Sequence, residues 1–270
     1  MPNPGAILVL ASLASCALAC EQHVVIGNAA GSAQPDAGAD ASRADAEAGN
    51  GVVLWSTDHE TGDFADWEAE GGGSYTTGAP AEVVEDGARS ARYGAAFTID
   101  TSDGNAQTVR AYRRTVAEPA YYSVWFKLAE DHTPAVWWSF FIFRGQADPN
   151  DTGTGVNLWD INLIRTEAGP LALSFYDHLT DTVIPAAPRA VPVGQWVHLE
   201  AFFRYAPPAD TELVYWLDGE SVLELSGLGE SPVTDLFWAI GNGSDALDPP
   251  VSTIYFDDAA IATDRLGPGF

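Results

Sequence analysis

Lysine is almost missing from this sequence. A single lysine, Lys127, and eleven arginines stand against 38 acidic residues, giving a formal net charge of -26 over 270 residues. A field of that sign repels polyanions, which excludes nucleic acid as a natural partner. Cysteine is nearly as scarce, and the two that occur, Cys16 and Cys20, both fall within the first twenty residues. A domain folded from the remainder therefore holds no internal disulfide and no thiolate metal site. The apolar run over residues 6–19 is shorter than the roughly 20 residues a membrane-spanning helix needs. No G-x-G-x-x-G, P-loop or G-x-S-x-G motif occurs, which argues against nucleotide binding and nucleophilic serine chemistry.

What the first fifty residues do contain points to export. The short apolar run followed by small residues fits a secretory signal, and Leu13-Ala14-Ser15-Cys16 resembles a bacterial lipobox, with Ala17-Leu18-Ala19-Cys20 a second match. Residues 1–20 are read as a lipoprotein signal peptide with Cys16 or Cys20 lipidated. Residues 21–50 form a linker whose Ala, Asp, Gly and Ser cannot bury enough apolar area to fold. The expected location is the outer membrane or cell surface of a Gram-negative bacterium, held by a lipid anchor alone.

From residue 51 to 270 the pattern changes. Short runs rich in aromatic and β-branched residues alternate with Gly, Pro and Asp clusters, and no long segment repeats every 3.6 residues. Ten strands stand out, among them Gln107–Arg114, Tyr121–Leu128, Trp137–Arg144, Val156–Ile164, Trp196–Tyr205 and Thr253–Ile261. Nine Trp, nine Tyr and twelve Phe supply a large apolar surface for one β-sandwich of about 220 residues. A monomer is expected.

The stretch Val193-Gly194-Gln195-Trp196-Val197-His198-Leu199-Glu200, followed by Tyr215-Trp216-Leu217-Asp218-Gly219, resembles the G-x-W-h-H … Y-h-D-G signature of laminin G-like domains. Those domains belong to the concanavalin A-like lectin and glucanase superfamily. The segments at 55–63 and 254–261 resemble the first and last strands of its members, so the likeness spans roughly residues 52–266. It implies an all-β jelly-roll sandwich of two antiparallel sheets, similar to bacterial polysaccharide lyases and carbohydrate-binding modules. It also implies a structural calcium ion joining the two ends through Glu60, the carbonyl of Gly62, and Asp257, hard oxygen donors of the kind Ca²⁺ prefers.

A sugar-binding face is found by alternation along the strands. His198 and Glu200 share one face of their strand, while Val197, Leu199, Ala201 and Phe203 share the more apolar one. Comparable positions elsewhere are Arg110, Tyr112, Arg114, Trp138, Arg144, Asp160, Asn162, Tyr176 and His178. Planar polar groups suit sugar hydroxyls, and aromatic rings suit sugar C–H faces. The E-x-D-x-x-E strand of a retaining glucanase is absent. The expected function is therefore a non-catalytic carbohydrate-binding module. The enzyme alternative is a polysaccharide lyase acting by β-elimination on a uronate glycan with Tyr112, His198, Arg110 and Arg144.

Overall fold

The computed structural model describes residues 51–146, 155–167, 169–207, 210–229 and 235–270. The signal peptide with Cys16 and Cys20 and the linker over residues 21–50 lie outside the described residues. In chain order the strands are β1 (Val53–Thr57), β2 (Gly73–Thr76), β3 (Glu82–Val84), β4 (Gly94–Asp100), β5 (Gln107–Arg114), β6 (Ala120–Leu128), β7 (Thr133–Pro134), β8 (Trp138–Gln146) and β9 (Val156–Arg165). They continue with β10 (Leu171–Asp177), β11 (Thr182–Ala190), β12 (Val197–Arg204), β13 (Thr211–Leu217), β14 (Glu220–Leu228), β15 (Asp235–Ser244), β16 (Leu247–Asp248) and β17 (Val251–Ala262). One short helix, α1 (Ala65–Glu68), follows β1.

Two antiparallel sheets carry the architecture, an all-β sandwich of jelly-roll type. The eight-stranded sheet runs β14-β13-β12-β6-β17-β4-β3, with β1 also paired to β17, and the seven-stranded sheet runs β11-β10-β9-β8-β15-β5-β2. Alternation sorts the side chains as the sequence leads one to expect. Val197, Leu199, Ala201 and Phe203 of β12 enter the core, as do Val109 and Ala111 of β5 and Trp159, Ile161 and Leu163 of β9. Aromatic rings fill the space between the sheets. Trp238 is surrounded by Trp67, Tyr122 and Phe141 at centroid distances of 5.4 to 5.5 Å, and Phe143 stacks on Phe203 at 4.2 Å. Each such ring contributes about 1.5–3 kcal/mol by leaving water, before its contacts with neighbouring rings are counted.

One polar group bridges the core. The Asn242 carboxamide accepts from the Trp138 indole at 2.8 Å and donates to the carbonyls of Phe97 and Ser252 at 3.1 Å. Trp138, expected to face sugar, is therefore a core residue with 0 % exposure. The reason is a register shift between Ser139 and Phe141, which breaks the simple every-second-residue count along β8.

Around Glu200 the outward face of the eight-stranded sheet is closed by the chain's own residues 263–270. Glu200, on that face of β12, is fully buried; its Oε1 accepts from the backbone N–H of Leu266 at 2.7 Å, and its Oε2 lies 3.3 Å from Arg265. His198 beside it is also fully buried and shares a hydrogen bond of 2.7 Å with Ser123. Burial, with the charges of Arg89 and Arg265, pushes its pKa down to about 3. The expectation that His198 and Glu200 line a sugar site is thus corrected. They lie on the other sheet from the remaining candidates, beneath the closing segment.

Candidate functional site

Strand register assembles the site on the outward face of the seven-stranded sheet. Tyr75 lies opposite Arg110, and Arg110 opposite Gly241. In the next row Tyr112, Ala239, Ile142, Asp160 and Tyr176 lie opposite one another from β5 to β10. A third row holds Arg114, Phe237, Arg144 and Asn157. Because successive strand residues alternate, these side chains share the face turned away from Val109, Ala111, Trp159 and Trp238.

Strand β15, between β5 and β8, is bare on this face along Ala239, Gly241 and Gly243. A Cβ on Gly243 would stand 2.7 Å from Nη2 of Arg110, and one on Gly155 would stand 2.8 Å from Nη2 of Arg144. Both guanidinium groups therefore occupy space that only glycine leaves open. Arg110 is 1 % exposed, and its Nη2 donates to the carbonyl and hydroxyl of Ser139 at 2.8 and 2.5 Å. Its Nε and Nη1 have no partner. Burial draws its pKa down, opposed by the nearby Tyr75 and Asp160. Arg144 donates to the Gly155 carbonyl at 2.7 Å and lies over the Tyr75 ring at 4.6 Å. Tyr112 stands beside Tyr75, with ring centroids 6.1 Å apart.

A second pair of groups sits further along the face. His178 Nε2 is 3.0 Å from Asp160 Oδ2, while Asp160 Oδ1 is buried without a partner. The Tyr176 hydroxyl donates to the Asp181 carboxylate, which holds its proton on and pushes its pKa up to about 12. Tyr176 is accordingly a poor base. Asn162 is 7 % exposed on the row between Ser139 and Ser174. Arg114 is on the same face but ion-paired with Asp235.

The sequence reading brought Arg110, Tyr112, Arg144, Asn162, Tyr176 and His178 to one face correctly, and missed Tyr75. Its strand is four residues long after a run of three glycines, too short for alternation to register. Glu60 and Asp257 lie elsewhere, where both hold the segment 89–93. Glu60 Oε1 accepts from the N–H groups of Arg92 and Tyr93 at 2.8 and 2.7 Å, and Asp257 Oδ2 from those of Arg89 and Ser90 at 2.8 and 3.2 Å. Gly62 donates its N–H to the His59 carbonyl and leaves its own carbonyl unengaged by the other two.

Charge accounting separates the groove from the rest of the molecule. Among the described residues, Arg110, Arg144 and Lys127 are the cations with no carboxylate at ion-pair distance; every other arginine has one. Two of the three meet at Tyr75.

No protein-family model matches the chain, and no curated protein does. Solved structures do. The endo-β-1,4-glucuronan lyase of the fungus Trichoderma reesei superposes with a TM-score of 0.55 at 14 % identity, over 78 % of this chain and 96 % of that one. The marine PL-14 alginate lyase from Aplysia kurodai gives 0.53 at 11 % identity, over 78 % and 99 %. This chain shares their β-sandwich fold. The cellulose induced protein Cip1 gives 0.52 at 15 % identity, over 78 % and 98 %. The expectation of a non-catalytic binding module is corrected by these likenesses, since two of the three proteins that share the fold are polysaccharide lyases.

Proposed function

We propose that the protein is a polysaccharide lyase that cleaves a uronate-containing glycan by β-elimination, on a sandwich of the concanavalin A-like type. The observation that carries this reading is the meeting of Arg110 and Arg144 at Tyr75 in a chain where other described arginines are matched by acids. β-Elimination removes the proton α to the uronate carboxylate. The electron pair of that C–H bond becomes the new C=C bond, the glycosidic C–O bond breaks, and the departing oxygen takes up a proton. Negative charge grows on the carboxylate as the proton leaves, and two preorganised guanidinium groups in a poorly hydrated setting oppose it best. Tyr75 is the phenol placed to exchange the proton, and the Asp160–His178 pair supplies a second acid–base group on the same face.

Incubation with polyglucuronate, alginate and a neutral β-glucan tests this reading, with the ultraviolet absorbance of the conjugated double bond as readout. A rise with an acidic polymer alone is expected. Degradation of the neutral glucan, or of nothing, would sink the lyase assignment.

Two features of the sequence belong to the same proposal. Export with a lipid on Cys16 or Cys20 would put the enzyme where polysaccharide is found, and labelled-palmitate incorporation that survives Cys16→Ala and Cys20→Ala together would refute it. Calcium held by Glu60, Gly62 and Asp257 would tie β1 to β17, far in sequence from the groove. Main-chain N–H groups already engage one oxygen of Glu60 and both of Asp257; calcium's contribution would be to stability, and a chelator that left the melting temperature unchanged would remove it.

A further inference from the structure

The third unmatched cation lies on the opposite sheet. Lys127, the chain's one lysine, projects from β6 on the outward face of the eight-stranded sheet, directly opposite Tyr255 of β17. Its ammonium sits 4.8 Å from the Tyr255 ring centre and 4.9 Å from that of Trp196. The two π-faces hold it in place of a carboxylate. Thr253 and Val251 continue the column from Tyr255, with Val251 47 % exposed, and Val193 beside Trp196 is 36 % exposed. Ala96, next in the row, is small, with Glu82 beyond it on β3, and Gly87 lies against the Tyr255 ring, where a Cβ would stand 2.9 Å from Cδ1. Residues 263–270 cover the Glu200 half of this sheet and reach as far as Trp125, whose indole donates to the Phe270 carbonyl.

We infer that Tyr255, Lys127 and Trp196 form an accessory site where the enzyme grips the acidic polysaccharide it cleaves in the groove of the other sheet. A uronate chain offers what the strip can use. Its sugar C–H faces can pack on the half-buried rings of Tyr255 and Trp196, and one carboxylate meets the ammonium. A densely charged chain such as nucleic acid or a sulfated glycan needs several cations at once, and the strip has one in a strongly acidic protein. The nature of the polymer rests on the lyase reading above, whereas the site itself rests on Lys127 and its rings.

The test uses the full chain and electrophoresis through gels containing polyglucuronate or neutral β-glucan, together with turnover on short glucuronate oligosaccharides. Lys127→Met keeps the aliphatic stem and removes the charge; Trp196→Ala removes one ring; melting curves check that both fold. Each is expected to weaken retention in the polyglucuronate gel about tenfold, the scale of one cation or stacking contact, with short-oligosaccharide turnover unchanged. Arg144→Gln is expected to lose turnover and keep Lys127-dependent retention. Unchanged retention in both Lys127→Met and Trp196→Ala would overturn the site, as would equal retention by the neutral glucan. Lys127-dependent retention without any cleavage by the wild-type chain would uphold the site and refute the lyase reading.

Discussion

Arg265 and Arg110 are both buried arginines, one beneath the outward face of each sheet, and their surroundings differ in one respect. Arg265 meets the carboxylate of Glu200, the carbonyl of Gly219 and the face of Trp216. Arg110 meets a serine, two unmatched ring and guanidinium neighbours, and no carboxylate. The first arrangement is complete without a ligand and serves to pin residues 263–270. The second leaves a cation that no carboxylate touches, with Asp160 acting on it only at longer range. Burial alone does not separate structural from functional polar groups; whether the chain supplies the counter-charge does.

The largest effect should come from breaking the open side of this contrast. Arg144→Gln keeps a hydrogen-bonding planar group and removes the charge over Tyr75. It is expected to lower kcat/KM about a thousandfold, roughly 4 kcal/mol of transition-state stabilisation, with the melting temperature nearly unchanged. A comparable loss of stability would place Arg144 with Arg265 instead. On the closed side, Glu200→Gln leaves Arg265 buried without its partner and is expected to cost about 3 kcal/mol of folding stability in a denaturant titration. Room-temperature turnover should stay as it was, and a matching fall in turnover would mean that the two faces are coupled.

The third effect is on pH dependence, the smallest of the three when counted over a single pH unit. Burial first, then Arg89 and Arg265, hold His198 at about 3, far under its ordinary 6.5. Between those values the unfolded chain binds a proton that the folded chain refuses. Stability therefore falls as pH drops through this window, by up to about 1.4 kcal/mol per pH unit. Glu200 works in the opposite sense, because burial raises its pKa and its share of stability fades as pH rises. His198→Gln should flatten the acid-side loss measured by melting temperature against pH, leaving the Glu200 contribution in place. An unchanged slope would assign the acid sensitivity to another group.

Alternation made most of the sandwich legible. Val197, Leu199, Ala201 and Phe203 could be assigned to the core because one side of β12 is entirely apolar. The same alternation could not say whether the polar side, His198 and Glu200, meets solvent or a covering segment, since that depends on residues 263–270 far along the chain. Trp138 was lost to a register shift invisible in composition, and Tyr75 to a strand too short to show a period. The pairing of arginines with acids was legible nowhere, because Arg113 and Arg110 look alike in the sequence while one reaches Glu70 and the other reaches no acid.

The longest strand has an implication for the order in which the molecule is made. β17 pairs with β6 over Ile254–Ala262 and, on its other edge, with β4 over Val251–Phe256 and with β1 over Ala259–Ala262. Among the described strands its residues are the last to emerge during synthesis, yet they separate β6 from β4 and give β1 its one partner in the sheet. Until residues 251–262 are available, the eight-stranded sheet is two fragments with open edges, and loop closure over some 200 residues falls at the end of folding. A nascent chain with this topology keeps an edge of its aromatic interior open until β17 has been made.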